Sequence, residues 1–227
     1  MKLYTQQDTT NNIDKGQLLI NIRSLNGEIP IENASITLSY TGQPASALET
    51  LSTNSSGQTE AVTLDTPPLE YSMQPGQNQP YAEYTIQVSA EGYKPVTVSG
   101  IELLPMEEAV QSVTMIPLAE ARQTSESIVI GPHTLYGDYP PKIPEAEIKP
   151  INESGEIVLS RVVVPEYVIV HDGPPRDNSA RDYYVTFKDY IKNVASSEIY
   201  ATWPETTIRA NILAIISFTL NRVYTEW

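Results

Sequence analysis

The sequence predicts an α+β protein, with an antiparallel β-sandwich first, a proline-rich linker next and a pair of helices last. Three observations predict this order. Between residues 15 and 118 apolar and polar side chains alternate, and turn sequences separate the alternating runs. Prolines are frequent between residues 119 and 160. From residue 186 onward the apolar spacing changes to three and four, as in an amphipathic helix. Residues 1–14 are polar and are predicted to be a flexible N-terminus.

Composition narrows the class of function. The 227 residues carry a net charge of −14, which argues against nucleic acid and anionic membrane surfaces as partners. The chain has no cysteine, so disulfides, thiolate metal sites and cysteine catalysis are excluded. His133 and His171 are far apart in sequence, and we predict neither a metal site nor a cofactor. The first residues show no recognisable signal peptide, and the apolar stretch 208–220 is too short to span a membrane.

The strands of the first half are predicted from alternation with a period of two, which is typical of half-buried strands. Turn sequences such as residues 54–57 separate them and favour a sandwich of short strands. The apolar residues of the three clearest runs are Leu18, Ile20 and Ile22, then Ile36, Leu38 and Tyr40, then Tyr84, Ile86, Val88 and Ala90.

The sequence pieces of this half resemble, in their order and spacing, those of the transthyretin-like or carboxypeptidase regulatory-like sandwich. The pieces are GEIPIENASITL, TNSSGQT, YTIQVSAEGY and VTMIPL. The resemblance implies a structural or interaction module without catalysis. A competing interpretation is an adhesin fold with a Lys–Asn isopeptide bond. Lys15 is its candidate lysine, but the last strand, residues 110–118, contains no asparagine.

An apolar strand is predicted at residues 161–170, between the two halves of the chain. The surrounding stretch GEIVLSRVVVPEY is a candidate for proteolytic processing, because exposed segments between compact parts are preferred sites of cleavage. An edge strand interrupted by Pro165 is the alternative interpretation.

Two helices are predicted after residue 186. Thr186 and Asp189 form a capping-box pattern at the start of the first helix, and Pro204 suits the start of the second. The predicted apolar faces consist of Phe187, Tyr190, Ile191, Val194 and Ala195 in the first helix and Ile208, Ile212, Ile215, Ile216, Leu220 and Val223 in the second.

Residues 185–222 resemble the beginning of the SpoIID/LytB family. The family pattern joins an Asp-Tyr pair, two small residues followed by Glu, and Trp-Pro followed by a basic residue and Ala. The matching residues are Asp189, Tyr190, Val194, Ser196, Ser197, Glu198, Trp203, Pro204, Arg209, Ala210 and Ala214. Members are lytic transglycosylases that act on the glycan strands of peptidoglycan. Residues 161–227 are therefore interpreted as the incomplete N-terminal part of such a domain.

The resemblance assigns the catalytic acid to Glu198. Tyr190, Trp203 and Arg209 are predicted to bind substrate, although Tyr190 and Trp203 also suit core positions. One carboxyl group suffices for lytic cleavage, because it first protonates the glycosidic oxygen and then accepts the proton of the sugar's own hydroxyl. An acid of this kind has to hold its proton, so partial burial of Glu198 is expected. The family's Met-Pro after the acid is replaced by Ile199-Tyr200.

The order of the parts resembles the clostridial spore cortex-lytic enzymes of the SleC type. These are zymogens that a subtilisin-like protease activates. The resemblance implies that the sandwich is a pro-region, that the cut falls near Ser160, Arg161 and Val162, and that the protein belongs to the bacterial spore or cell envelope. It implies two partners, peptidoglycan glycan strands and the activating protease. Because the later part of the family domain is absent, the chain alone is expected to be inactive.

The alternative hypothesis is a non-catalytic binding or scaffold protein of the spore or cell envelope. Its sandwich would mediate interaction with proteins or glycans.

Overall fold

The computed structural model describes residues 13–24, 29–74, 78–120, 125–133, 135, 163–174 and 177–225. Backbone contacts divide the chain into a first unit, Met1–Pro132, and a second unit, His133–Trp227. The first unit is built mainly of strands, and the second contains a β-hairpin and two helices. The predicted α+β class, with strands first and two helices at the C-terminal end, is therefore confirmed.

The first unit contains two sheets. One has three strands in the order β4-β1-β7, and the other has five in the order β3-β2-β5-β6-β8. Its elements are β1 (Asp14–Ser24), β2 (Ser35–Tyr40), β3 (Ala47–Ser52), β4 (Val62–Thr66), α1 (Leu69–Met73), β5 (Ala82–Ser89), β6 (Val96–Leu103), β7 (Glu108–Met115), a 3-10 turn (Leu118–Glu120) and β8 (Glu126–Val129).

The two sheets share one hydrophobic core. Leu18, Ile20 and Ile22 of β1 are fully buried, in the same cluster as Leu38 of β2 and Ile86 of β5. Side chains from facing sheets that interdigitate in this way define a β-sandwich. The sequence-predicted inward faces of these strands are confirmed.

The predicted antiparallel pairing holds for four strand pairs of the sandwich and is wrong for two, so the sandwich is mixed. Strand β7 runs parallel to β1, with Gln17 opposite Glu108 and Ser24 opposite Met115. Strand β8 runs parallel to β6. The sequence could not reveal these directions, because side chains alternate with the same period in parallel and antiparallel strands.

Strand β8 lies in the segment that was predicted to be linker, so the folded part extends beyond residue 118. Lys94, only 5% exposed, places its ammonium nitrogen 3.2 Å from the Glu126 carboxylate. Two backbone bonds close the ends of the strand, from Glu126 N–H to the Pro95 carbonyl and from Ile130 N–H to the Ser99 carbonyl. The strand shows no apolar alternation because it is an edge strand with mostly exposed side chains. Residues 136–160 of the predicted linker lie outside the described residues.

The predicted turn at residues 54–57 is present. The Asn54 side-chain oxygen accepts hydrogen bonds from the backbone N–H groups of Ser56 and Gln58. Gly57 adopts a positive φ of 72°. A Cβ atom at this position would lie 2.4 Å from the Ile22 carbonyl oxygen, so both the backbone angle and the close approach require glycine.

Lys15, the candidate lysine of the competing adhesin interpretation, lies on β1 opposite Asp65 of β4. Its ammonium group donates a hydrogen bond to the Asp65 carboxylate, and both side chains are exposed. Strand β7 contains no asparagine that would complete a Lys–Asn crosslink. The structure therefore gives Lys15 the role of one partner in a cross-strand ion pair.

The second unit has one small core of its own. The described elements of this unit are an antiparallel hairpin, β9 (Tyr167–His171) and β10 (Asp182–Thr186), followed by α2 (Phe187–Glu198) and α3 (Glu205–Thr225). The buried side chains that these elements share are Val168, Phe187, Ile191, Ala195 and Ile215. The predicted apolar helix faces are confirmed in this core, except that Ile208 does not belong to it.

Strand β9 begins two residues after Pro165, later than the strand predicted from residue 161. Proline has no N–H group for a β-ladder, which explains the later start. No helix in the described part of the chain is long and apolar enough to cross a membrane.

Candidate active site around Glu198

The start of α2 is fixed by the cap that the sequence predicts. Thr186 Oγ1 accepts a hydrogen bond from the Asp189 backbone N–H at 3.2 Å and donates one to the Asp189 carboxylate at 2.8 Å. The Thr186 hydrogen bond is the main reason that the pKa of Asp189 lies below its usual value. The helix therefore begins at Phe187, which sets the rotation of every later side chain.

Glu198 is the last residue of α2, and its side chain is exposed. The expected partial burial is therefore wrong for the described structure. The buried row of α2 contains Phe187, Ile191 and Ala195 at a spacing of four. Glu198 instead continues the neighbouring row of Tyr190 and Val194, which is only half-buried. Its carboxyl group is consequently open to solvent.

The end of α2 and the start of α3 are held by a short turn. The Ile199 N–H donates to the Ala195 carbonyl at 3.1 Å, and Ile199 and Tyr200 are both buried. The Trp203 N–H donates to the Tyr200 carbonyl at 3.2 Å, after which Pro204 precedes the first residue of α3. This turn fixes the distance between Glu198 and the first turns of α3.

Asn211 of α3 contacts Glu198 directly. Its Nδ2 donates a hydrogen bond to Glu198 Oε2 at 3.0 Å. Its Oδ1 is buried and, among the described residues, has no hydrogen-bond partner. The residue is half-buried, whereas Glu198 is exposed, so Asn211 is the more constrained member of the pair.

The three residues predicted to bind substrate have different surroundings. Tyr190 is half-buried and packs against the core of the second unit. Trp203 is half-buried in the turn between α2 and α3. Arg209 is exposed, and its guanidinium group contacts Glu205 Oε1 at 2.6 and 3.0 Å, one helical turn away. Their roles in substrate binding stay predictions.

The predicted processing residues Ser160, Arg161 and Val162 lie outside the described residues. The two processing interpretations, an accessible cleavage site and an interrupted edge strand, therefore both stay predictions at that position.

His133 contacts the helix that carries Glu198, although the sequence identified no partner for it. Its Nε2 lies 2.6 Å from the backbone carbonyl oxygen of Ser196, in the last turn of α2. The last carbonyls of a helix have no partner within the helix, and histidine is one of the residues that satisfies them. A residue of the predicted linker thus caps α2 two positions before Glu198.

His171 holds the loop between β9 and β10 through both ring nitrogens. Nδ1 lies 2.8 Å from the Asp182 carboxylate, and Nε2 lies 3.0 Å from the Pro174 carbonyl oxygen. Both partners are acceptors, so both contacts are satisfied only when the ring carries two protons. The hydrogen bond to Asp182 is the main reason that the pKa of His171 lies above its usual value, with smaller contributions from Pro174 and Asp177.

Within the described ranges, no group of three or more His, Cys, Asp or Glu side chains has the proximity needed to hold a metal ion. The contact that the structure describes at Glu198 joins its exposed carboxyl group to the side-chain amide of Asn211.

Sequence analysis assigned Asn211 to the polar side of the second helix and so missed its contact with Glu198. A signal was present, because Asn211 is a polar residue between Ile208 and Ile212, on the apolar side of an otherwise regular pattern. The sequence could not identify Glu198 as the partner of Asn211, since the two residues belong to different helices.

Comparison with known proteins gives a fold likeness only. No family model matches the chain, and no curated protein matches it significantly. Among solved structures it is similar to a minor pilin of Streptococcus agalactiae, with 14% identity, 49% of this chain and 48% of the pilin covered, and a TM-score of 0.32. It is similar to catechol 1,2-dioxygenase from an Acinetobacter species, with 14% identity, 54% and 60% coverage and a TM-score of 0.35.

A third similar structure is 5-hydroxyisourate hydrolase of Klebsiella pneumoniae, with 16% identity, 45% of this chain and 85% of the hydrolase covered, and a TM-score of 0.29. The chain thus spans less than two thirds of the pilin and of the dioxygenase. These neighbours have transthyretin-like or carboxypeptidase regulatory-like β-sandwich folds. Scores and identities this low carry no argument about family or function. The SpoIID/LytB and cortex-lytic assignments therefore stay predictions.

Proposed function

We propose that this chain is the N-terminal portion of the precursor of a peptidoglycan-lytic transglycosylase, with Glu198 as its general acid and base. The observation that carries the proposal is the exposed Glu198 carboxyl group, held by Asn211 at the junction of two helices. It occurs within the segment whose sequence resembles the SpoIID/LytB family. An exposed position suits a polymeric substrate, because a glycan strand has to reach the acid from solvent.

The proposed reaction needs one carboxyl group. The protonated Glu198 transfers its proton to the glycosidic oxygen as the bond from that oxygen to the anomeric carbon breaks. The resulting carboxylate then accepts the proton of a hydroxyl on the same sugar, and the hydroxyl oxygen bonds to the anomeric carbon. The product is an anhydro sugar, no water is consumed, and Glu198 regains its proton. This differs from a retaining hydrolase, which requires a second, nucleophilic carboxylate.

Substrate would complete the environment of the acid in this proposal. Sugar rings lying over Glu198 would exclude water and strengthen its interactions with the reacting oxygen. Tyr190, Trp203 and Arg209 are the proposed substrate contacts. Support for a contact role comes from the exposed Arg209 and the half-buried Trp203, which follow Glu198 closely in the chain.

The sandwich is the proposed pro-region, and a subtilisin-like protease that cuts near Ser160, Arg161 and Val162 is the proposed activator. The proposed location is the bacterial spore cortex or cell envelope, where peptidoglycan is available. Support comes from the order of the parts, since backbone contacts divide the chain into two compact units and Glu198 lies in the second.

The test is muropeptide release from isolated peptidoglycan by the protein made from its complete reading frame, with and without protease treatment. We expect anhydro-muropeptides from the treated wild type. We expect Glu198→Gln to lose about 100-fold or more of this activity, the usual contribution of a general acid. The matched control is Glu166→Gln, an exposed glutamate of the same unit. Anhydro products at the wild-type rate from Glu198→Gln would remove Glu198 from the mechanism.

The second candidate function is a non-catalytic binding or scaffold protein of the envelope. The favouring observation is that the strands of the first unit bury a complete core among themselves, as an independent interaction module does. The same assay separates the candidates. If the treated wild-type protein sediments with peptidoglycan but releases no muropeptides, the binding function is favoured.

A further inference from the structure

We infer that Asn211 is a positioning residue that holds the Glu198 carboxyl group in its working orientation. This inference rests on the proposed function, in which Glu198 is the acid. The contact joins two helices that share one core, so it is fixed by tertiary packing and does not depend on local sequence.

The packing of α3 determines where the amide lies. Asn211 comes one helical turn before the buried Ile215, and Ile212 beside it is packed against the same core. Its Oδ1 is buried on the protein side, which directs Nδ2 toward Glu198 Oε2 at 3.0 Å. An amide rotated by half a turn would bring its Oδ1 against Glu198 Oε2, so that two acceptor oxygens would face each other.

The two carboxyl oxygens of Glu198 therefore have different roles. Oε2 is occupied by the Asn211 amide, so the transferable proton is carried by Oε1. Both proton transfers of the proposed reaction then use Oε1, first to the glycosidic oxygen and then from the sugar hydroxyl. The hydrogen bond also restricts a long and otherwise exposed side chain that would populate several rotamers.

A residue that orients the acid without touching the substrate affects kcat and leaves KM nearly unchanged. Loss of the hydrogen bond that orients the acid is expected to lower kcat on the order of tenfold. We therefore propose Asn211→Leu, measured by muropeptide release with the complete, protease-treated protein. Asn211→Gln keeps the amide and is expected to restore part of the lost rate. The matched control is Asn221→Leu, the same change at an exposed position of the same helix.

A second measurement does not depend on activity. The side-chain amide signals of Asn211 in a proton–nitrogen NMR spectrum are expected to shift when Glu198→Ala removes the acceptor, and to stay in place in Glu205→Ala. If Asn211→Leu impairs folding in a thermal melt, Asn211→Ala provides a smaller, uncharged variant that has no N–H donor. It is expected to show the same loss in kcat.

The outcomes separate this inference from the proposed function. Unchanged Asn211 amide signals in Glu198→Ala would show that the hydrogen bond does not form, and would overturn the inference. An inactive Glu198→Gln combined with a fully active Asn211→Leu would overturn the positioning role alone. A fully active Glu198→Gln would overturn the proposed function, and with it any catalytic reason for the contact.

Discussion

Loss of the Glu126 charge should weaken strand β8 because it leaves the Lys94 ammonium without a counter-charge. The Lys94 side chain is only 7% exposed, and its nitrogen lies 3.2 Å from Glu126. Breaking a fully buried ion pair from one side costs about 3–5 kcal/mol. The Glu126 side chain is 36% exposed, and glutamine keeps an acceptor oxygen, so both water and the new amide offset part of this cost. We expect Glu126→Gln to destabilise the sandwich by about 1–2 kcal/mol.

Two measurements test this expectation. With a typical m-value of about 2 kcal/mol per molar urea, the unfolding midpoint of the sandwich should fall by about 0.5–1 M. Hydrogen exchange of the Ile130 amide, which bonds to Ser99 across the β6–β8 pair, should accelerate about 5- to 30-fold if β8 detaches. Glu49→Gln on the opposite edge of the same sheet is the matched control.

The ion-pair explanation also predicts how substitutions of Lys94 and Glu126 combine. Lys94→Met removes the buried charge itself, so Glu126→Gln introduced into that variant should cost no more than about 0.5 kcal/mol. An equal cost of Glu126→Gln in both backgrounds would refute the reasoning, because the effect would then come from the carboxylate alone.

Three other predictions concern local features. Thr186→Ala should destabilise α2 by about 1 kcal/mol through loss of its cap, and Thr186→Ser should not, as measured by urea unfolding at a helix wavelength. Because the pKa of His171 is raised in the folded state, the protonated ring stabilises the hairpin. This stabilisation is complete below the ordinary histidine pKa of 6.5 and is lost as pH rises through the raised pKa. Asp182→Asn should move the NMR-measured pKa of His171 downward. Gly57→Ala should lower the free energy of unfolding more than Gly42→Ala does, by an amount on the order of 1 kcal/mol. Gly42 also has a positive φ, but the space that its Cβ atom would enter is open.

The sequence predicted those features of the site that depend on residues close together in the chain. The Thr186 cap and the apolar spacing of α2 were readable because both depend on residues within one or two turns of each other. The exposure of Glu198 was not readable, because it depends on which row of α2 faces α3 and β9. The contact with Asn211 was missed for the same reason, since 13 residues and a turn separate the two side chains in the chain.

The sandwich also has features that the sequence predicted and features that it did not. Alternation by itself determined which side chains of β1, β2 and β5 face the core, because a period of two places them there whatever the strand order. The tertiary structure decided that β7 and β8 run parallel to their neighbours and that residues 126–129 form a strand. It also decided that His133 caps the helix of Glu198. Each of these contacts joins residues far apart in the chain, so no local sequence pattern reports the energy of their pairing.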